Sequence, residues 1–205
     1  MNKNFGPFIK ECGIVKTYKK GQIIYHEGSK PEGLYCITSG IVGLVNILPN
    51  GEESLLRVFG PNNFFGHRTM LANETYHSTT IALDETRLCF VSKERFYEII
   101  HKQPDILLKM TEILAKELKA AELRLRDSTG KKAQTRIIES LVYLKTKHPN
   151  HRWTRKEIGE YSGTKTETVA RVLSLLEKEN LIKKIGRNIL IESTEDLLNY
   201  ASSFI

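Results

Sequence analysis

The sequence predicts an α+β chain: antiparallel strands first, then a long helix, then a helical module closed by a hairpin. Three observations carry this. Short apolar runs separated by turn formers fill roughly residues 16–92. From Lys93 to about Asp127 the apolar period switches to alternating steps of three and four. A second helical block beginning near residue 133 ends in "LIKKIGRNILIE", two apolar runs flanking Gly186-Arg187.

The strand region divides at its turn signals. "QIIYHEG" is an apolar run closed by Glu-Gly, and "GLYCITSG" and "IVGLVNILPNGEE" follow, the last carrying a Pro-Asn-Gly hairpin turn. "SLLRVFGPNNFFG" supplies another strand and a Gly-Pro-Asn-Asn turn, and "HSTTIALDETRLCFVSKERF" two more around Asp84-Glu85. Strands this short and this regularly spaced fit a β-sandwich or barrel.

In the long helix, Leu107, Thr111, Leu114, Leu118, Ala121, Leu125 and Ser128 recur at steps of four and three. With Met110 and Ile113 on the flank they form a coiled-coil-like seam of about three heptads. Lys116, Glu117, Lys119, Glu122, Arg124 and Arg126 charge the remaining surface. A helix this polar needs a second hydrophobic surface, so a two-stranded dimer seam is favoured over packing on its own domain. The expected interface is Leu107, Met110, Leu114, Leu118, Ala121 and Leu125. "DSTGKK" then breaks the pattern, which sets the expected domains at 1–128, with the long helix over about 103–128, and 129–205.

The last third is basic, as a polyphosphate-binding module would be. Residues 129–205 carry 14 Lys/Arg against 9 Asp/Glu, whereas residues 1–128 carry 17 against 15. "AQTRIIESLVYLKTK" forms an amphipathic helix. Thr154 occupies an N-cap position with Glu157 three residues on, a capping box. That helix stops at Ser162-Gly163, and Thr164 and Thr166 offer capping hydroxyls to the next, which runs to about Glu179. This is a helix–turn–helix layout. Val169, Val172, Leu173 and Leu176 face inward, while Glu167, Ala170, Arg171 and Ser174 share the outward face. Arg171 suits guanine O6 and N7, Glu167 suits cytosine N4, and the hairpin wing offers Lys183, Lys184 and Arg187 to phosphate.

Other classes are poorly supported. His26, His67 and His77 form no His-x-His metal pair, no nucleophile–base motif or phosphate-binding glycine loop occurs, and no catalytic or metal residues are expected. An enzyme of the cupin type is therefore disfavoured, as is an effector-binding subunit without DNA activity. Cys12, Cys36 and Cys89 are far apart and are expected as reduced thiols, with a redox role at Cys12 as the alternative. No apolar run reaches 18 residues and the N-terminus lacks a secretory core, so a cytoplasmic protein without membrane association is expected.

"TRKEIGEYSG" followed by "ETVARVLSLLEKENLI" closely resembles the DNA-binding signature of the Crp/Fnr transcription regulators, and the upstream order of elements fits as well. The resemblance implies an antiparallel β-roll or jelly-roll sensor domain of the cyclic-nucleotide-binding type, a long dimerisation helix and a C-terminal winged helix–turn–helix. It implies a homodimer on inverted-repeat double-stranded DNA with half-sites one helical turn apart, and RNA polymerase as a further partner of an activator. Glu167 and Arg171 would read bases, Thr166 sits where relatives often place another base reader, and Thr154, Arg155, Thr164, Lys165, Thr168, Lys184 and Arg187 complete the DNA-facing set.

The family's cyclic-nucleotide members carry a phosphate cassette after a "GDFFG"-like turn. Its Glu takes the ribose 2′-hydroxyl and the Arg of its Arg-Ser-Ala grips the phosphate. Here Gly66 matches, but His67 stands at the Glu position and His77-Ser78-Thr79 at Arg-Ser-Ala. A neutral imidazole is a poor substitute for a guanidinium. Ordinary cyclic AMP binding is therefore not expected, nor is an iron–sulfur or haem signature present. Arg68 can supply a cation from a different position. The sequence leaves open whether Gly66, His67, Arg68, His77, Ser78 and Thr79 hold another anion or line an empty cavity.

Overall fold

The computed structural model describes residues 14–204; Cys12 lies outside them. Chain contacts divide the molecule into two units, one ending at Ala121 apart from the segment Gly51–Leu55, the other comprising that segment and everything from Glu122.

In the first unit the strands are β1 (Ile14–Tyr18), β2 (Ile23–Tyr25), β3 (Gly33–Ser39), β4 (Val42–Ile47), β5 (Glu53–Phe59), β6 (Phe64–Phe65), β7 (Thr79–Ala82) and β8 (Thr86–Ser92). They form two four-stranded sheets, ordered β1-β8-β3-β6 and β2-β7-β4-β5. The pairings are antiparallel, with Cys36 opposite Cys89 and Tyr35 opposite both Phe90 and Phe65. The strand-rich expectation is met, and Pro49-Asn50-Gly51 does close a hairpin between β4 and β5, with Gly51 at φ +79°.

β3 and β8 read as unbroken apolar runs because both of their faces are covered. Tyr35, Ile37, Leu88 and Phe90 join Val42, Leu44, Phe59 and Phe65 in one core. The alternate residues, Leu34, Cys36, Cys89 and Val91, join Phe64, Met70, Phe96, Ile99, Ile106 and Met110 in a second. The helices supplying that second core are α1 (His67–Ala72), α2 (Lys93–Lys102) and the start of α3 (Asp105–Gly130). Ser92 caps α2 by accepting from the Arg95 amide at 3.3 Å. Pro104 then separates α2 from α3, since the residue before a proline avoids helical backbone.

Three expectations are corrected here. Met110 is not an interface residue: it is fully buried in its own unit, because Ile106, Met110 and Ile113 form an inward stripe one residue out of step with the leucine seam. The seam itself stays open, with Leu107, Leu118 and Leu125 exposed (42, 62 and 69 %) and Ala121 exposed as well. Second, "DSTGKK" does not break α3 at Asp127. The hydroxyls of Ser128 and Thr129 donate to the carbonyls of Leu125 and Arg126, and Lys131 pairs with Asp127 at 2.9 Å, so the helix carries on to Gly130. Third, the cysteines are not all free. Cys36 is a buried thiol whose pKa burial pushes up to about 12, but Cys89 is disulfide-bonded.

The second unit contains α4 (Ala133–Lys147), α5 (Arg155–Ser162), α6 (Thr166–Lys178), the hairpin β9 (Ile182–Ile185) and β10 (Asn188–Ile191), and α7 (Thr194–Ser202). Its core is Ile137, Ile138, Leu141, Leu144, Ile158, Val169, Leu173, Leu176 and Leu197, all at most 1 % exposed. α7 is an element the sequence reading did not include. Its signal is Ser193-x-x-Asp196, where the serine hydroxyl accepts from the Asp196 amide at 3.2 Å. Among the described residues no helix is long and apolar enough to cross a membrane.

The inward stripe of α3 and its charged surface respond differently to truncation. Met110→Ala should lower unfolding free energy by about 2–5 kcal/mol, whereas Lys119→Ala, at an exposed position of the same helix outside both stripes, should change it by less than about 0.5 kcal/mol. Chemical denaturation of the two variants checks this ranking.

Candidate functional site

The helix–turn–helix is fixed by contacts that lie off its outward face. Thr154 caps α5: its hydroxyl accepts from the Glu157 amide at 3.1 Å while the Glu157 carboxylate accepts from the Thr154 amide at 2.8 Å. Such a box contributes about 1 kcal/mol. Burial alone would raise the Glu157 carboxyl pKa, but His151 at 3.5 Å and the Thr154 groups outweigh it and hold the pKa below the ordinary value. Gly163 ends α5 in the left-handed region at φ +65°. Gly159 lets the turn close, since a Cβ there would lie 2.7 Å from the Thr164 carbonyl.

Sequence reading missed Arg136. From α4 its guanidinium donates to the carbonyls of Ser162 at 3.2 Å, Gly163 at 3.3 Å and Lys131 at 2.8 Å. It thereby satisfies exposed carbonyls at the end of α5 and complements that helix's negative pole. An arginine on an amphipathic helix carries no sequence signal for such a role. The expected caps of α6 are also corrected. Lys165 occupies the N-cap position without a side-chain bond, and the Thr164 hydroxyl is 2.8 Å from that of Ser162.

α6 buries Val169, Val172, Leu173 and Leu176 and presents Glu167, Arg171 and Ser174 outward, as the spacing predicts. Neither Glu167 nor Arg171 has an ion-pair partner among the described residues. Thr154, Arg155, Lys165 and Thr166 are also exposed, whereas Thr164 and Thr168 are half-buried. In the hairpin, Lys184 is tied to Glu177 at 2.7 Å and Lys183 to Glu192 at 3.0 Å. Arg187, beside Gly186 at φ +58°, is exposed and unpaired among the described residues. Of the wing cations, it is the one already available.

The second site is a cavity of ≈ 280 Å³, counting solvent at its mouth, lined by Tyr25, Leu44, Arg57, Phe59, Phe65, Gly66, His67, Arg68, Thr69 and His77. Gly66 makes it possible: its φ is +89°, and a Cβ would sit 2.9 Å from the Gly33 carbonyl. Of the expected pocket residues, Gly66, His67, Arg68 and His77 line the cavity. Ser78 and Thr79 do not; Ser78 is fully buried elsewhere and the Thr79 hydroxyl accepts from the Glu27 amide at 3.1 Å.

Arg57 and Glu117 were not among the expected residues. Arg57 Nη2 lies 2.6 Å from Glu117 Oε1, and Glu117 Oε2 lies 3.7 Å from His67 Nε2. Glu117 lies four residues beyond Ile113 on the inward stripe of α3, a position that reads in sequence as part of a charged face. Burial would raise its carboxyl pKa, but the bond and charge of Arg57 lead the contributions that outweigh this and hold it down to about 2. Burial keeps His67 below its ordinary pKa despite Glu117, so the ring is neutral at pH 7. His77 is also lowered, by burial and then by Arg68, whose guanidinium lies 3.0 Å from His77 Nε2. Nε2 then accepts and the proton resides on Nδ1.

Residues 15–103 match the family model of the cyclic nucleotide-binding domain and residues 135–200 that of the Crp-like helix-turn-helix domain. The chain is 31% identical over 196 residues to the cAMP-activated global transcriptional regulator CRP of Pasteurella multocida, covering 91% of this chain and 93% of the relative. It is 27% identical over 170 residues to the Cyclic AMP receptor protein of Thermus thermophilus, covering 82% and 79%. FixK2 from Bradyrhizobium japonicum shares the fold, at 24% identity, 91% and 96% coverage and a TM-score of 0.80. The chain belongs to the Crp/Fnr family: it is a DNA-binding transcription regulator with a cyclic-nucleotide-binding-type domain, and not an enzyme. Among the described residues no cluster of three or more His, Cys, Asp or Glu is placed to hold a metal ion.

Because Glu117 has a lowered pKa in the fold, its contribution to stability is present above the ordinary carboxylate value of 4.5 and is lost as pH falls through about 2. Acid titration of wild type and Glu117→Gln should therefore diverge above that window and converge below it.

Proposed function

We propose that the chain works as a homodimer on an inverted-repeat DNA site and that an effector in the Arg68 pocket controls its affinity. The observation that carries the DNA reading is the outward face of α6, where Glu167 and Arg171 stand four residues apart, exposed and without ion-pair partners. Arg171 forks onto guanine and Glu167 accepts from cytosine in the major groove, while Thr166, Thr168 and Arg155 flank them. Arg187 binds phosphate first. Lys184 does so only in exchange for Glu177, a pairing that dampens its share of the salt dependence.

The dimer runs along Leu107, Leu114, Leu118, Ala121 and Leu125 of α3. The exposure of leucines on that stripe supports it, since such a row on one helix marks an interaction surface. For function the boundary falls at residues 128/129, with the sensor and long helix before it and the DNA reader after it. The named relatives are cyclic AMP receptors, but His67 and His77 replace the two charged determinants of ordinary cyclic AMP recognition. The effector of this chain is therefore a different molecule. A DNA partner implies work in the cytoplasm, and RNA polymerase is a further partner if the regulator activates.

Arg171→Ala should lose about 1–3 kcal/mol at one base position and relax specificity there. Arg187→Ala should weaken binding evenly across sequences and reduce the salt slope by about 1. Anisotropy titrations on selected inverted repeats at several salt concentrations separate these effects; an unchanged sequence preference in Arg171→Ala contradicts the groove assignment. Replacing Leu114 and Leu118 together with Lys should yield monomers in sedimentation, and a persisting dimer would relocate the interface.

A further inference from the structure

The cavity holds more positive charge than its own carboxylate neutralises. Two guanidinium groups, Arg57 and Arg68, line it and remain charged at any physiological pH. One carboxylate, Glu117, reaches Arg57 at 2.6 Å. Among the described residues no carboxylate lies within ion-pair distance of half-buried Arg68, whose guanidinium meets only the neutral His77 ring at 3.0 Å. Glu27 and Glu74 act electrostatically on His77 without pairing with Arg68. His67 is a second, independent sign of a missing partner. It is 2 % exposed, lines the cavity, and neither ring nitrogen has a hydrogen bond. Buried polar atoms left this way are costly unless a ligand or water completes them. The remaining walls, Tyr25, Leu44, Phe59 and Phe65, are largely apolar.

We propose that this cavity takes a compact oxyanion, a phosphate or carboxylate group, on Arg57 and Arg68, and that the anion binds by displacing Glu117 from Arg57. Glu117 is in effect an internal ligand already bound to the site. Its displacement frees the α3 backbone around residue 117 from the ion pair that ties it to Arg57 of β5. Occupancy of the pocket is thereby converted into a change in the helix that carries the leucine seam. The inference rests on reading the cavity as the effector site, and it adds the ligand chemistry and the group that competes with it.

The test is titration of the full-length protein with orthophosphate, and separately with acetate, following the side-chain N–H signals of Arg57 and Arg68 by NMR. Glu117→Gln should bind at least one of these anions about tenfold or more tightly than wild type, and the anion that gains more identifies the preferred headgroup. Glu122→Gln, the same charge change on an exposed position of α3, should leave affinity unchanged. Adding Arg57→Gln or Arg68→Gln to Glu117→Gln should abolish the gain, and thermal melts confirm which variants are folded. Saturating anion should also speed amide exchange over residues 114–121 in wild type. Equal affinity in wild type and Glu117→Gln, no binding in either, a matching gain in Glu122→Gln, or unchanged exchange on binding overturns the proposal. No DNA is present in these titrations, so they are separable from the regulatory reading. If Glu117→Gln tightens anion binding while DNA affinity ignores the anion, the site stands and effector control fails. If DNA affinity responds to an effector while Glu117→Gln changes nothing, only the displacement fails.

Discussion

β3 and β8 are buried on both faces, and the sensor unit is arranged around that constraint. A strand pair of this kind needs cover on each side, so a second sheet packs against Tyr35, Ile37, Leu88 and Phe90 while helices pack against Leu34, Cys36, Cys89 and Val91. Phe65 pairs opposite Tyr35 and enters the sandwich core, which brings the next residue, Gly66, to the rim where the cavity opens. Met110 packs on the other face and fixes the start of α3. Seven residues is two turns of helix, so Glu117 lies on the same side of α3 as Met110. The strand pair therefore determines both the floor of the pocket and the side of α3 that Glu117 occupies.

A carboxylate at that point is not the most stabilising choice. A mostly buried ion pair gives back in desolvation much of what it gains from attraction, and an apolar replacement is often neutral or better. Ile106, Met110 and Ile113 show that this stripe of α3 otherwise takes apolar residues. Glu117 is retained in the position where an apolar side chain would continue the core, next to two arginines that a plain core would not need. Packing alone does not account for this arrangement, whereas a site whose charge is balanced until something else balances it does.

Much of this was legible in the sequence, and the failures share a physical origin. The succession of short strands, the hairpin at Pro49-Asn50-Gly51, the capping box of Thr154 and the two faces of α6 follow from local rules of turn chemistry and periodicity, and these could be read directly, whereas the order of strands within each sheet could not. Met110 was assigned to the wrong surface because two apolar stripes lie one residue apart on α3, and periodicity does not say which of them faces the protomer's own core. The role of Asp127 to Gly130 was misjudged because serine and threonine can end a helix or donate back into it, and the choice depends on which carbonyls are left open. Arg57, Glu117 and Arg136 were missed for a stronger reason. Each acts through contact with a segment distant in sequence, and nothing in the residue itself distinguishes such a charge from a solvated one.

The proposed DNA-reading face obeys a division of labour that follows from the same energetics. Every contact that closes the helix–turn–helix (Thr154 with Glu157, Arg136 with the end of α5, Ser162 with Thr164) involves side chains other than Glu167 and Arg171. Those two are therefore not needed to hold the turn. An exposed Glu–Arg pair four residues apart on a helix contributes only about 0.3–0.5 kcal/mol, whereas a good bidentate base contact discriminates by about 1–3 kcal/mol. Even if the pair forms transiently in solution, breaking it is a small loss against the contacts it would give way to. Lys184 is in a different position, because Glu177 on the same unit competes for it at 2.7 Å. The module thus leaves its proposed specificity residues uncommitted and ties two of its wing cations, Lys183 and Lys184, to carboxylates, an arrangement that favours discrimination between sequences over general affinity for phosphate.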